Sequence, residues 1–208
     1  MTDIVLVRHG ETEFNREGVF RGRVDVGLND VGHEQARAAA EALSRESITA
    51  VYSSPLSRAL DTARPIAERH GLTPVVDEAF HNINLGAWQG AKKEKVRLEQ
   101  PDAWALWTTE PEHLRIPGGE TLAQIRARAF PRLGELAASH DNERIAIVSH
   151  RSVIRVLAGA VLGMTEGYFW RFYMDNAGYS LIRQNGTGYV IVSWNENCHL
   201  TSKFYERY

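Results

Sequence analysis

Short apolar segments alternate with amphipathic segments along most of the chain. Residues Ile4–Val7 form a continuous apolar run, which is typical of a strand covered on both faces in a parallel sheet. Similar runs and turn signals predict further strands at Ile48–Tyr52, Pro74–Val76 and Arg144–Val148 and near Tyr179–Arg183 and Tyr189–Trp194. The alternation of strands with helices predicts an α/β fold, a three-layer sandwich around a mainly parallel central sheet.

Two of the intervening helices have clear start signals. The first is predicted over Asp30–Arg45, with Asn29 as its N-cap. The second follows Thr121, whose spacing from Gln124 is that of a capping box. The helical period places five residues of this second helix on one apolar face: Leu122, Ile125, Ala129, Leu133 and Leu136.

The stretch from about residue 79 to 119 has a different pattern, with turn signals and no clear strand. We interpret it as a mainly helical insertion over the C-terminal ends of the strands, within a single domain of residues 1–208. Its tryptophans, Trp88, Trp104 and Trp107, are expected to serve mainly as buried packing, with the lining of a pocket for an organic substrate as the alternative. The charged run Lys92–Lys95 is expected to be a solvated helix face.

The composition and charge of the chain limit its expected partners and cellular compartment. With 43% hydrophobic and 24% charged residues and a net charge of −2, the chain has no overall attraction for nucleic acid or an anionic membrane. Cys198 is its only cysteine, so no internal disulfide can form. The N-terminus does not resemble a signal peptide, and no segment approaches the ~20 apolar residues of a membrane span. We therefore expect a cytoplasmic protein without nucleic-acid or membrane partners.

Charged and polar side chains follow three of the predicted strands directly or after a short loop. Arg8 and His9 follow the first strand, Arg58 the second, and His150 the strand at Arg144–Val148. In open α/β sheets the ligand crevice lies beyond the carboxyl ends of the strands. The sequence therefore predicts that two histidines and two arginines converge on one site.

The charge of this predicted site favours an anion over a metal. Guanidinium groups repel a divalent cation, and the sequence contains no HExxH motif and no cysteine cluster. Arginine forks match phosphate oxygens, and Arg58 is expected near a helix N-terminus, which also favours anions. With a phosphoryl group held there, one histidine can attack it and the other, protonated, can stabilise the transferring charge.

Six ordered motifs resemble the histidine phosphatase superfamily, also called phosphoglycerate mutase-like, over nearly the whole chain. They are VLVRHGETEFN, RGRVDVGLNDVGHEQA, VYSSPLSRALDTA, INLGAWQG, PGGETL and IVSHRSVIR. The resemblance implies that His9 is the phosphorylated nucleophile and that phosphatase activity needs no metal or organic cofactor. It also implies a phosphate pocket completed by Arg8, Arg58 and His150, with Asn15 bonding the phosphate and with Arg21 and Gly22 beside the substrate.

Two positions depart from the family pattern. Relatives usually have Glu or Asp, the general acid, where this chain has Asn82, and an amide has no proton to give near neutral pH. Glu11 and His81 are alternative proton donors. Arg151 replaces a frequent glycine after the second histidine, which alters the backbone there or supplies another cation for the substrate.

The sequence therefore predicts a metal-independent phosphomonoester hydrolase that acts through a phosphohistidine on a small phosphorylated metabolite and is slowed by Asn82. A cofactor-dependent phosphoglycerate mutase is an alternative, although FHNINLGAWQG is more similar to the phosphatase branch. A catalytically weak protein that binds phosphorylated ligands is a second alternative, which Asn82 favours. A sheet edge is available for a homodimer.

Overall fold

The fold is built on one six-stranded sheet, seen in a computed structural model that describes residues 1–202. In spatial order β3-β2-β4-β1-β5-β6, the first four strands are parallel, β5 is antiparallel to β1, and β6 is antiparallel to β5. The bounds are β1 Thr2–Arg8, β2 Ile48–Ser53, β3 Val75–Val76, β4 Arg144–Ser149, β5 Tyr179–Gln184 and β6 Tyr189–Glu196. The predicted α/β fold with a mainly parallel sheet is confirmed.

Seven α-helices connect or flank these strands within residues 1–202. They are α1 Glu13–Arg16, α2 Asp30–Leu43, α3 Ser57–Arg69, α4 Lys93–Glu99, α5 Pro101–Thr109, α6 Leu122–Ser139 and α7 Arg151–Val161. None of those described is long and apolar enough to cross a membrane. The predicted end of α2 at Arg45 is wrong, because Ser44 caps the helix and bonds back to the carbonyl of Glu41 before the chain turns toward β2.

Both faces of the sheet are covered by helices. Ile4 and Leu6 of β1 belong to the core cluster that contains α6 and α7, whereas Val5 and Val7 belong to the cluster that contains α2 and α3. All four side chains are at most 3% exposed. This two-sided burial is the reason why the strand is a continuous apolar run rather than an alternating one.

The predicted signals of α6 are present. Thr121 and Gln124 form the capping box, in which each side chain bonds the other residue's backbone N–H. The five residues of its predicted apolar face are all buried. Because this face packs on the sheet, α6 anchors the end of the preceding segment.

The segment from about residue 79 to 119 packs on the loop that follows β1. Phe20 of this loop lies 5.0 Å from Trp88 and 5.5 Å from Trp107 between ring centroids. Val19 forms an isolated antiparallel bridge with Lys92, and Leu85 forms another with Gly119. These contacts place α4 and α5 beside the loop at the carboxyl end of β1.

Candidate active site

His9 and His150 lie side by side because their strands are neighbours. β1 and β4 are parallel and in a register that pairs Arg8 with Ser149, so the residues that follow both strands emerge at the same edge. The backbone N–H of His9 donates to the carbonyl of Ser149 at 3.0 Å. The two imidazole centroids are 5.1 Å apart, a separation at which one small group can contact both rings.

The hydrogen bonds of His9 fix which nitrogen can attack. Nδ1 lies 2.6 Å from the carbonyl oxygen of Gly10. A carbonyl can only accept, so Nδ1 carries the proton and the neutral ring has its lone pair on Nε2. The residue at position 10 must be glycine, because a Cβ there would lie 2.5 Å from the carbonyl oxygen of Gly32. The local backbone therefore prepares Nε2 of His9 as a nucleophile.

His150 is held by a hydroxyl from a third strand. Its Nε2 lies 2.7 Å from Oγ of Ser54, which directly follows β2. Its Nδ1 is buried and has no hydrogen-bond partner among residues 1–202. An orphaned buried ring nitrogen beside His9 is suited to a polar group of a ligand.

Two buried arginines, Arg8 and Arg58, lie close enough to His9 for their charges to lower its pKa. Arg8 is fully buried and donates through Nη1 to the carbonyl of Met174 at 2.7 Å. Arg58, near the start of α3, donates to the carbonyls of Val24 at 2.9 Å and Gly22 at 3.0 Å. Backbone carbonyls orient these guanidinium groups, whose planar forks match phosphate oxygens, so the arrangement favours a bound anion.

Burial and these positive charges shift the pKa values of the site. Burial, together with the charges of Arg58, Arg8 and Arg21, holds the pKa of His9 well below its ordinary value. Burial and the charge of Arg58 do the same to the pKa of His150. Burial and the charge of Arg21 lower the pKa of Arg58 to about 9. The histidines are therefore neutral near pH 7 in the free site, and an anion would relieve the repulsion among the cations.

Asn82 lies in the same cavity with its carboxamide fully oriented. Its Nδ2 donates to the carbonyl of Gly22 at 2.8 Å, and its Oδ1 accepts from Oγ of Ser152 at 2.7 Å. The carbonyl of Gly22 also receives Arg58, so Asn82 is linked to the arginine through one oxygen atom. A neutral carboxamide thus occupies the position at which the family resemblance led us to expect an acid.

The remaining predicted residues divide into two groups. Arg21 and Gly22 line the cavity with the histidines. Asn15 is buried, and its Oδ1 accepts from the backbone N–H of Thr12 at 3.0 Å and from its hydroxyl at 2.9 Å. It does not line the cavity. Its hydrogen bonds with Thr12 stabilise the loop that follows His9.

The cavity lining includes Lys93, which was expected elsewhere, and Trp107, for which packing and pocket lining were both considered. Lys93 was expected on a solvated helix face, but it is half-buried and lines the cavity because the start of α4 packs against the loop after β1. Trp107 both packs in the aromatic cluster and lines the cavity. The lining residues within 1–202 are His9, Val19, Phe20, Arg21, Gly22, Asn82, Ile83, Leu85, Lys93, Trp107, His150, Arg151, Ser152, Phe169 and Trp170.

Neither alternative proton donor lines this cavity. Glu11 accepts a hydrogen bond from Nδ2 of Asn29 at 2.9 Å, and its carboxylate is also 3.6 Å from Arg16. His81 is half-buried, and burial lowers the pKa of its imidazole. The lining contributed by residues 1–202 therefore contains no carboxylate. Within the same range, no group of three or more His, Cys, Asp or Glu side chains is arranged to hold a metal ion.

Sequence reasoning missed Asn176, whose side-chain amide contacts the nucleophile loop. Asn176 is buried, and its Nδ2 lies 3.1 Å from the carbonyl oxygen of His9 and 3.2 Å from that of Gly10. The Gly10 carbonyl is the one that sets the tautomer of His9. The only sequence signal was a polar Asp175–Asn176 pair shortly before a strand that begins at Tyr179.

The family comparison covers almost the whole chain. The family model described as histidine phosphatase superfamily (branch 1) matches residues 4–197. Phosphoserine phosphatase 1 of Hydrogenobacter thermophilus is 37% identical over 205 residues, which are 99% of this chain and 97% of that protein. A metal-independent phosphoserine phosphatase of Arabidopsis thaliana is 34% identical over 205 residues, covering 97% of this chain and 84% of that protein.

A solved structure has the same architecture. It is that of a mutant phosphoserine phosphatase from Entamoeba histolytica in complex with phosphoserine. It superposes with a TM-score of 0.86 at 28% identity and covers 96% of this chain and 100% of its own. This chain therefore shares its fold with that phosphoserine phosphatase.

Proposed function

The chain belongs to the histidine phosphatase superfamily, branch 1, and is a phosphomonoesterase, and we propose that it hydrolyses a small phosphomonoester through a phosphohistidine at His9. The observation that carries this proposal is the hydrogen bond from His9 Nδ1 to the carbonyl of Gly10. This hydrogen bond leaves Nε2 of His9 unprotonated, and the Gly10 carbonyl fixes the orientation of the imidazole ring. A nucleophile with a fixed tautomer is what covalent catalysis by histidine requires.

The proposed first step transfers the phosphoryl group. Nε2 of His9 attacks phosphorus, a phosphorus–nitrogen bond forms, and the ester phosphorus–oxygen bond breaks to release the alcohol oxygen with its electron pair. Arg8 and Arg58 stabilise the negative charge on the phosphoryl oxygens. Nδ1 of His150, which has no partner among residues 1–202, donates a hydrogen bond to one of these oxygens once the anion has raised its pKa.

The low pKa of the free histidines supports this step. A protonated His9 has no lone pair on Nε2 and cannot attack. The same positive charges that attract the phosphoryl group keep His9 neutral before the substrate arrives. Substrate binding then reduces the repulsion around His150, which allows that imidazole to become a better donor.

The second step returns the enzyme to its free form. Water attacks phosphorus, the phosphorus–nitrogen bond breaks, and inorganic phosphate leaves while the proton of water passes to solvent or to the phosphate. We propose that Asn82 slows both steps, because it can donate a hydrogen bond but cannot exchange a proton near neutral pH. It binds the ester oxygen or the attacking water without protonating or deprotonating it.

The test is isolation of the intermediate. A brief incubation with ³²P-labelled nitrophenyl phosphate, followed by alkaline quench, is expected to leave an acid-labile, base-stable label on His9. His9→Ala should abolish the label, and EDTA should change neither the label nor turnover. Label retained in His9→Ala, or activity lost with EDTA and restored by a divalent metal, would overturn the mechanism.

The same assay separates the alternatives. Interconversion of 2- and 3-phosphoglycerate, faster than phosphate release, would assign the chain to mutase activity. Binding of a phosphorylated ligand without any label or release would make it the weak binding protein that Asn82 also allows. Release of phosphate with a label on His9 supports the phosphatase.

A further inference from the structure

One short segment, residues 174–178 before β5, contacts both Arg8 and His9 although none of its residues lines the cavity. The carbonyl of Met174 accepts a hydrogen bond from Nη1 of Arg8 at 2.7 Å. The backbone N–H of Ala177 lies 3.0 Å from the carbonyl oxygen of Arg8 and 3.2 Å from that of His9. We call residues 174–178 the brace, because these hydrogen bonds connect them to the start of the nucleophile loop.

The brace does not keep its conformation through local preference alone. It belongs to no helix or strand. Ala177 has a φ of 54°, which lies in the left-handed region that few residues other than glycine, asparagine and aspartate adopt. Contacts with other segments must therefore stabilise the brace.

A buried contact of this kind joins Asp175 to the end of β6. The backbone N–H of Asp175 donates to Oδ1 of Asn195 at 2.8 Å, and Nδ2 of Asn195 donates to Oδ2 of Asp175 at 3.0 Å. Asp175 is 5% exposed, and its carboxylate also accepts from Nδ2 of Asn197 at 2.7 Å and from the hydroxyl of Tyr173 at 2.9 Å. Hydrogen bonds to a carboxylate are stronger than those between neutral groups, so these contacts fix Asp175 within the brace.

The backbone around Asn195 prepares its side chain for this contact. Its φ of 53° lies in the left-handed region, where asparagine is enriched among residues that have a side chain. Its N–H donates to Oγ of Ser180 at 2.9 Å. A Cβ at position 178 would lie 2.7 Å from Oδ1 of Asn195, so glycine at this position leaves room for the side chain to reach Asp175.

We propose that Asn195 is a positioning residue of this phosphatase. Through Asp175 it fixes the brace, and the brace in turn orients Arg8 and His9. Asn195 does not line the cavity, so we assign its contribution to these contacts rather than to a contact with substrate. The inference rests on the proposed function, because the nucleophile that the brace orients is His9.

The first test variant is Asn195→Gly, which tolerates the positive φ but removes both side-chain bonds to Asp175. We expect kcat for nitrophenyl phosphate to fall about ten-fold and KM to change by less than about three-fold, because a reacting group displaced by ~1 Å can cost ~100-fold in rate. Assays are run well below the Tm of every variant, so that kcat reports the folded protein.

Asn142→Gly is the matched control. Asn142 also has a positive φ, 60°, and its Oδ1 also accepts a hydrogen bond, from the N-terminal amino group at 3.1 Å. It is exposed and lies before the start of β4, at the opposite end of that strand from His150. Asn142→Gly should therefore leave kcat unchanged, whatever it does to Tm.

A second variant keeps the proposal testable if Asn195→Gly does not fold. Asp175→Asn has the same size and keeps the backbone N–H that Asn195 accepts, but it removes the charge and one acceptor oxygen. We expect it to lower kcat by about three-fold or more, since hydrogen bonds to a charged group are replaced by weaker ones.

A double variant tests whether the effect of Asn195 passes through the brace. Asn176 is part of the brace and bonds the carbonyls of His9 and Gly10. If both residues act through this segment, adding Asn195→Gly to Asn176→Ala should lower kcat by less than about three-fold further, because coupled sites are not additive. Independent effects would multiply instead.

Three results would overturn the positioning role. They are an unchanged kcat in both Asn195→Gly and Asp175→Asn, an equal loss of kcat in Asn142→Gly, and losses that multiply fully in the double variant. The labelling experiment on the unmodified chain keeps this outcome separate from the proposed mechanism. Label on His9 with unchanged kcat in the variants would overturn the positioning role alone, whereas lowered kcat without any label on His9 would overturn the phosphohistidine alone.

Discussion

Ser152 donates a hydrogen bond to Oδ1 of Asn82 at 2.7 Å, and this bond leaves Nδ2 of Asn82 directed at the carbonyl of Gly22 at 2.8 Å. The two side chains are 70 residues apart in the sequence. A carboxyl group placed at position 82 would have one oxygen positioned to accept from Ser152 and the other beside the Gly22 carbonyl, which can only accept. We propose that a proton donor would act at this position and that Asn82 supplies only a hydrogen bond there.

Asn82→Asp is expected to restore general acid catalysis. An alkyl phosphate expels a basic alkoxide and needs the proton, whereas nitrophenyl phosphate has a good leaving group and needs little help. General acid catalysis is typically worth ~10²–10⁴-fold, so kcat/KM for propyl phosphate should rise far more than kcat/KM for nitrophenyl phosphate. The measurement is the ratio of the two values.

The control for this prediction is the same substitution on the exposed hairpin, Asn185→Asp, which should leave the ratio unchanged. An unchanged ratio in Asn82→Asp as well would show that the proton comes from elsewhere. The labelled His9 intermediate should also persist longer with Asn82 than with Asp, since the same group activates the water.

Arg58→Met is expected to remove about 2–4 kcal/mol of transition-state stabilisation, which corresponds to a loss of roughly 30- to 1000-fold in kcat/KM. Arg58 is buried, and within residues 1–202 its terminal nitrogens donate to backbone carbonyls, so we expect its charge to act on the phosphoryl oxygens. Arg64→Met is the matched control, because Arg64 lies on the same helix with a 58% exposed side chain paired to Asp61. Comparable losses in both variants would contradict a direct role of Arg58.

Asn176→Ala is expected to lower kcat by about ten-fold or more while changing KM less. The variant loses two buried hydrogen bonds to the carbonyls of His9 and Gly10, each worth about 0.5–1.5 kcal/mol. The Gly10 carbonyl then orients His9 less firmly, so the chemical step suffers more than binding. Asn176→Asp keeps the side-chain size but removes the N–H donors, so its kcat should fall as much as that of Asn176→Ala. If Asn176→Asp kept the kcat of the unmodified chain, Asn176 would only fill space.

The two buried histidines predict a loss of stability in acid. Their pKa values in the folded chain lie well below the ordinary value of ~6.5, so at lower pH the unfolded chain binds protons that the folded chain does not. The free energy of unfolding should therefore decrease as pH falls below about 6.5. The measurement is Tm between pH 7.5 and pH 5.

Replacing both histidines, with His9→Gln and His150→Gln together, should flatten this pH dependence of Tm. His33→Gln is the control, because His33 is exposed on α2. Inorganic phosphate should raise Tm of the unmodified chain, since it binds the folded state only. An equally steep fall of Tm in the double variant would assign the acid sensitivity to other groups.

The sequence by itself determined the strands, most helix starts and the meeting of the two histidines. A strand that is buried on both faces is a continuous apolar run, which can be seen in the sequence. A helix cap such as Thr121 bonds a residue three positions away, so its signal also lies within one short segment. The histidines could be placed together because parallel strands end at one edge of the sheet, and β1 and β4 proved to be neighbours. That inference needed only strand direction and topology.

Only the tertiary structure decided which side chains complete the cavity. Lys93 is in a charged run typical of a solvated helix, yet the packing of α4 on the loop after β1 turns it inward. Asn176 contacts the loop of His9 from 167 residues away, and Ser152 in α7 donates to Asn82 in a separate loop. Local sequence patterns indicate burial, helix caps and turns. The contacts of Lys93, Asn176 and Ser152 depend instead on how distant segments pack against one another, and no single segment of the sequence determines that packing.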